Sequence, residues 1–475
     1  MVSPSSSPRV EPGALPIAAM DNKSPVQSLD AGDQATITPA SQKKGARFWL
    51  IFVAICASTF LSALELTSVS TALPTIVEAL HGHDFAWVGS AYTLGSTAFM
   101  PMSGGLADIF GRRPVMLASL VIFAIGSAIC GAAPNMSALI AGRTIQGIGG
   151  GGILTLTDII VADLVSLAER GPYLGIVGAV WAIASAIGPP VGGAFAESNW
   201  HINIPIVGIA IVLVLLFLNL NTPKEPFNEK IRRIDWVAHP PSRAVMESNQ
   251  SQWIFGSISS WNTGYWYCLL SARILQGSKG ASPIRSGVDL FGIAFTVAPF
   301  AILTGISAVV FKKYRPQNYV AWVITTIGLG LLSMVKADTS MAKSIGFQII
   351  IGVGAGILYA STNFPVLAPL PVSLNASALA LLAFIRTFAG HTELPSAHLF
   401  SKPSFPNVFL PEPLRTQVRE AFADSLAVLW RVFIGIAGAG FISVFLMKEI
   451  PMSNETDERW AMEQAEKKES GVERA

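Results

Sequence analysis

The sequence predicts an all-α polytopic membrane protein of about twelve crossings, and three observations carry that expectation. Of its 475 residues, 51% are hydrophobic and 13% charged, with a mean hydropathy of +0.52, too apolar for a soluble chain of this length. Apolar runs of roughly 20 residues recur between positions 48 and 447, each able to cross about 30 Å of hydrocarbon as a helix. Lys and Arg gather in alternate connections, the pattern of a chain that weaves through a bilayer. Lipid offers the backbone no hydrogen-bond partners, so each run must pair its own amides, and that selects helices.

Taken in order, residues 1–46 are rich in Ser, Pro, Ala and Asp without an apolar segment, and read as a disordered cytoplasmic tail rather than a secretory signal. Six spans follow at 48–67, 87–106, 114–130, 138–160, 173–195 and 204–218, a domain covering 47–220. Lys43, Lys44 and Arg47 precede the first span, and Arg112 and Arg113 follow the second. Arg170 follows the fourth, and Lys224, Lys230, Arg232 and Arg233 follow the sixth. The intervening loops 81–86, 131–137 and 196–203 contain no Lys or Arg, which sets the N-terminus in the cytoplasm.

The second half offers spans at 288–311, 319–335, 345–367, 376–389 and 426–447. Lys312, Lys313 and Arg315 place one short loop inside, so an odd number of crossings must separate Arg233 from Ser286. Only 253–275 can supply one; its Ser, Trp and Tyr content also fits a segment lying in the headgroup layer. Residues 221–252 then form an atypical cytoplasmic linker, 253–447 a second helical bundle and 448–475 a cytoplasmic tail.

A net charge of +2, with the basic residues scattered over short loops, argues against a nucleic-acid partner. Cys56, Cys130 and Cys268 sit in apolar stretches without CxxC spacing or a nearby His, as packing residues rather than a disulfide or metal set. No nucleophile elbow, phosphate loop or metal-ligand cluster is present, so neither an enzyme nor a cofactor is expected, and no obligate protein partner is evident. The lipid bilayer is the one partner that composition demands.

Charged and small residues inside this apolar background carry the chemistry. After the second span the chain reads Gly104, Gly105, Leu106, Ala107, Asp108, Ile109, Phe110, Gly111, Arg112, Arg113. The glycines permit a tight turn and close helix approach, while Asp108 can pair with a guanidinium or cap the next helix. Such a clasp can hold one face shut and break when two halves of a molecule rock; a plain positive-inside anchor with a turn is the simpler alternative. Glu65 lies deep in the first span, where a charged carboxylate is expensive, so it must be protonated, face water or bond at the interface. Arg143 of the fourth span is not easily neutralised and has to find a carboxylate, a carbonyl or water, with Gln146 one turn along. The fifth span carries Gly178, Gly188, Pro189, Gly192 and Gly193, a small-residue surface with a Gly-Pro pivot.

The loop string is similar to the signature of the major facilitator superfamily between its second and third helices. Residues 64–74 (LELTSVSTALP), the Arg143, Gln146, Gly147, Gly149 element and the fifth-span glycines resemble the drug:proton antiporters that typically have fourteen helices, including fungal toxin and multidrug efflux pumps. Glu65 stands where that group usually has Asp. The resemblance implies two helical bundles, alternating access around a central cavity, and export of small lipophilic organic molecules in exchange for protons. By the same resemblance, Glu65, Arg143 and Gln146 serve proton coupling, and Gly104, Asp108, Gly111, Arg112 and Arg113 gating. It also implies a plasma-membrane location, and aromatic residues such as Trp181 as candidates for the cavity wall. Two stretches depart from the family pattern, 237–275 and 391–413, where polar, Pro-bearing sequence replaces apolar helix; misplaced exon joins would produce such breaks. Nutrient or metal-chelate uptake, or a membrane sensor that binds without transporting, remain the alternative readings.

Overall fold

The computed structural model describes residues 44–80, 86–196, 203–218, 291–336, 338–391 and 411–455, with isolated positions 220, 285, 288 and 289. Six helices fill the first part: α1 (Ala46–Ala79), α2 (Ala86–Phe110), α3 (Arg112–Gly131), α4 (Met136–Leu164), α5 (Arg170–Ala196) and α6 (Asn203–Phe217). The second part contains α7 (Phe291–Phe311), α8 (Arg315–Leu332), α9 (Met341–Ser361), the short α10 (Asn363–Leu367), α11 (Asn375–His391) and α12 (Leu414–Phe445). Seven of the described helices are long and apolar enough to cross a membrane; Pro205–Phe217 and Val372–Phe388 are shorter apolar helices. The candidate span at 253–275 lies outside the described residues, as does Cys268, while Cys56 and Cys130 are free thiols.

Local chemistry sets several boundaries. Asn135 caps α4, its side chain accepting from the Ala138 amide at 2.9 Å. Pro316 sits in the first turn of α8, where its missing N–H has no partner to lose. Pro365 separates α10 from α9, because it cannot donate to the Ser361 carbonyl one turn back; the single helix expected at 345–367 is therefore broken at Thr362. Two helices outrun their apolar runs: α1 continues to Ala79, and α12 begins at Leu414 through the polar turns of Arg415, Arg419, Glu420 and Asp424. Hydropathy locates only the lipid-crossing part of a helix, whereas the Arg, Gln, Glu and Ala of those turns favour helix on their own.

The contacts reveal two bundles built on one plan. In the first, α4 packs on α2 and α3, and α6 on α1 and α3; in the second, α9 packs on α7 and α8, and α12 on α8. The bundles meet through reciprocal pairs, α5 with α7 and α2 with α11, which makes α7 the counterpart of α2 and α11 that of α5. Separate core clusters mark the two halves, one around Phe123, Ile153 and Leu156, the other around Trp322, Phe364 and Trp430. Outward faces remain apolar: Leu94, Ile209, Leu216, Phe295, Val310 and Ile442 are all more than half exposed, a surface fit for lipid.

Among the described residues, bundle-to-bundle packing gathers at the end that carries Arg112, Arg170 and Arg315, called here the charged end. Ile159, Ala162 and Leu167 of the first bundle enter the core of the second. Gly171 of α5 and Gly305 of α7 cross backbone to backbone, and a Cβ on Gly104 of α2 would stand 2.7 Å from that of Ala380 on α11. At the opposite end, Ile76, Val88, Met136 and Leu139 form a small cluster belonging to the first bundle alone.

Candidate functional site

Glu65 and Arg143 meet inside the first bundle, Arg143 Nη1 lying 2.7 Å from Glu65 Oε1, with both side chains almost fully buried. The same nitrogen donates to Gln146 Oε1 at 2.6 Å, and Arg143 Nε donates to the Val88 carbonyl at 3.2 Å. Gln146 Nε2 then donates to Ser127 Oγ at 2.7 Å, and the Ser127 hydroxyl donates to the Phe123 carbonyl at 2.9 Å. The guanidinium also lies over the Tyr92 ring, 4.7 Å from its centre, and the Tyr92 hydroxyl is 3.2 Å from Ser62 Oγ. Four helices, α1 to α4, thus converge on one charged pair. Gly147 and Gly150 of α4 make room for Tyr92, since a Cβ at either would strike it.

The chemistry available to this cluster is asymmetric. The Arg143 guanidinium can only donate hydrogen bonds, whereas a carboxyl such as that of Glu65 accepts as the carboxylate and can donate in its acid form. Protonation removes the Coulombic half of the contact, while Gln146 and the Val88 carbonyl continue to hold the guanidinium. The guanidinium therefore has acceptors besides the carboxylate.

A second charged group sits at the charged end. Arg112, 2% exposed, donates through Nε to Asp163 at 2.8 Å and through Nη1 to Asp108 and to the Ala107 carbonyl, each at 2.8 Å. Gly111, with φ at 99°, makes the turn between α2 and α3 in a backbone region that glycine alone enters freely. Arg113 donates to the Leu215 carbonyl at 2.6 Å and caps the end of α6.

On α5, Gly178 packs against the Tyr359 ring of α9 and Gly188 against Thr67 of α1. Pro189, Gly192 and Gly193 continue the same helix, their side-chain surroundings lying outside the description. Trp181 packs against the small cluster of Ala63, Leu64 and Ala184.

Three charged residues of this region had no assigned part in the sequence reading. Asp163 is the buried partner of Arg112, and Asp158 of α4 lies within electrostatic reach of Arg386 of α11 and of Arg170. Arg386 in turn donates to Thr362 Oγ1 at 2.9 Å. A signal for all three existed, because ionisable residues in apolar helices are expensive wherever they occur. Among the described residues, no group of three or more His, Cys, Asp or Glu side chains could hold a metal ion.

The family profile described as Major Facilitator Superfamily matches residues 55–391. The chain belongs to that superfamily. Among curated relatives of this facilitator, the "Efflux pump FUS6" of Gibberella fujikuroi is 35% identical, with 93% of this chain and 95% of the relative covered. That alignment runs over 532 positions, more than the 475 residues here, so the relative has positions without a counterpart in this chain. The "MFS-type efflux pump LUC4" of a Fusarium species is 33% identical, covering 90% of this chain and 92% of its own. Among solved structures, the proton:xylose symporter XylE aligns with a TM-score of 0.59 at 13% identity, covering 82% of this chain and 96% of that one. The human organic anion transporter MFSD10 also reaches 0.59, at 14% identity, covering 85% and 100%. At such identities these two speak for the fold alone.

Proposed function

We propose that this facilitator exports small lipophilic organic molecules, toxins or secondary metabolites, in exchange for protons, by alternating access between its two bundles. One observation carries the reading: the buried pair of Glu65 and Arg143, a carboxyl that can trade a guanidinium for a proton, set inside a bundle that must move. Relatives that bear the name efflux pump and align over nine-tenths or more of both chains support the outward direction. The packing gathered at the charged end fits one of the two states such a cycle needs, closed there and accessible from the opposite side. In this reading the Asp108, Arg112, Asp163 clasp holds that end shut, and the α5 glycines let the bundles pivot. The charged end faces the cytoplasm, the N-terminus included, and the membrane is the plasma membrane.

The test is energised efflux of a panel of lipophilic toxins from cells expressing this chain, with Glu65→Gln and a proton uncoupler as separate arms. Both arms are expected to abolish extrusion. Glutamine keeps an acceptor for Arg143 but cannot titrate, so the variant should still insert and bind. Extrusion that survives both arms, or none at all from well-inserted protein, overturns the reading.

A further inference from the structure

The segment that follows α12 does not leave the protein as a free tail; it crosses from one bundle to the other at the charged end. Its anchor on the second bundle is Tyr314, buried between α7 and α8 and stacked on Phe364 at 6.2 Å. The Tyr314 hydroxyl accepts from the Ile450 amide at 2.9 Å. Arg315 donates to the Phe445 carbonyl at 3.2 Å and the Tyr319 hydroxyl to that of Val444 at 3.3 Å, which pins the end of α12 to α8. Met447 and Met452 then pack into the second bundle's core, the cluster that also takes in Leu167 from the α4–α5 connection of the first bundle. One residue further on, the Ala168 amide donates to the Ser453 carbonyl at 3.2 Å. The Glu455 amide donates to Ser453 Oγ at 3.0 Å, which turns the chain at that point.

We propose that residues 448–455 are a latch that spans the two bundles, holds the charged end closed, and releases the first bundle each time that end opens. The ties are unequal, and the inequality says which side lets go. The segment continues directly from α12, whose end is pinned to α8, and the Tyr314 hydroxyl bonds the Ile450 amide and the Lys448 carbonyl within it, against one main-chain hydrogen bond from the first bundle. The receiving loop is itself held to the first bundle, since Arg170 donates to the Ala162 and Val165 carbonyls at 3.1 and 3.3 Å. Separation of the bundles at this end must therefore break the Ala168–Ser453 bond. Release rests on the alternating-access reading above; the bridging contact itself does not.

The experiment uses the full chain with Cys56, Cys130 and Cys268 replaced by Ala. Ala168→Cys with Ser453→Cys is expected to cross-link on oxidation, to lose at least about tenfold in efflux, and to recover on reduction, as locking one state of a two-state cycle requires. Complete cross-linking with undiminished efflux, or no cross-linking, overturns the latch. If the reduced parent pumps nothing, it is the efflux reading that fails, and a second arm still judges the latch. In Ser453→Cys protein, labelling by a charged maleimide is expected to quicken about three- to tenfold when Tyr314→Phe removes the acceptor for the Ile450 amide and the long, 3.5 Å bond to the Lys448 carbonyl. The Phe364 stacking survives that change, so an unaltered labelling rate overturns the proposal.

Discussion

Arg112 is bound by two carboxylates that differ in a way that separates packing from screening. Asp163 is 6% exposed and Asp108 35% exposed, although each lies 2.8 Å from the guanidinium. Removal of the buried partner takes the Asp163 acceptor from the buried Nε, at a cost of about 1–3 kcal/mol while Asp108 and the Ala107 carbonyl still hold Nη1, whereas a solvent-screened partner contributes about 0–1 kcal/mol. Asp163→Ala should therefore lower the melting temperature in detergent far more than Asp108→Ala; equal losses would show that exposure does not decide the matter. At this scale the sequence was informative about cost and silent about partners. Glu65 and Arg143 stand out because charge in an apolar helix must be answered, but 78 residues separate them and nothing local says that they answer each other. The apolar run 138–160 ends three residues before Asp163 while α4 continues one residue past it, so hydropathy leaves this residue outside the span although the helix contains it.

Where helices cross, small residues decide the distance. Gly104 and Ala380 mark the crossing of α2 and α11, and neither the Ala380 Cβ nor the Ala376 carbonyl, 3.3 Å from a Cβ added at 104, can swing aside. Gly104→Ala is expected to destabilise by about 1–3 kcal/mol, as overpacking does, and Ala380→Gly added to it should restore most of the loss in a thermal melt. Gly208→Ala on α6 is the control: nothing lies within 4 Å, so a change beyond about ±0.5 kcal/mol would contradict the steric account. Helix existence was legible from apolar run length, and the six expected spans of the first half each coincide with a helix. Helix ends were less so. The break at Thr362 follows from Pro365 and could have been read; the polar first turns of α12 could not, since hydropathy is blind to helix outside the lipid.

For the molecule as a whole, contacts divide the chain at Lys44, with Gly45–Ala475 a single compact unit. Among the described residues both core clusters and both charged groups lie in that unit, so deletion of residues 1–43 is expected to leave efflux within about twofold and the melting temperature unchanged. A marked loss of either would give the tail a part in the fold. The weaving of the chain was legible from charge alternation, but the reciprocal meeting of α5 with α7 and α2 with α11 was not, because which helices touch depends on faces that hydropathy averages away. One last consequence concerns α4. Cβ atoms added at Gly147 and Gly151 would run into α2, at Gly149 and Gly152 into Ser119 or Phe123 of α3, and at Gly150 into the Tyr92 hydroxyl. Neighbours press on successive positions around the helix, so no rotation could make room for a side chain. Over evolutionary time Gly147, Gly149 and Gly151, which face backbone, have almost no single substitution open to them, and sequence drift enters more readily through outward-facing helices such as α6, where Gly208 already has empty space beside it.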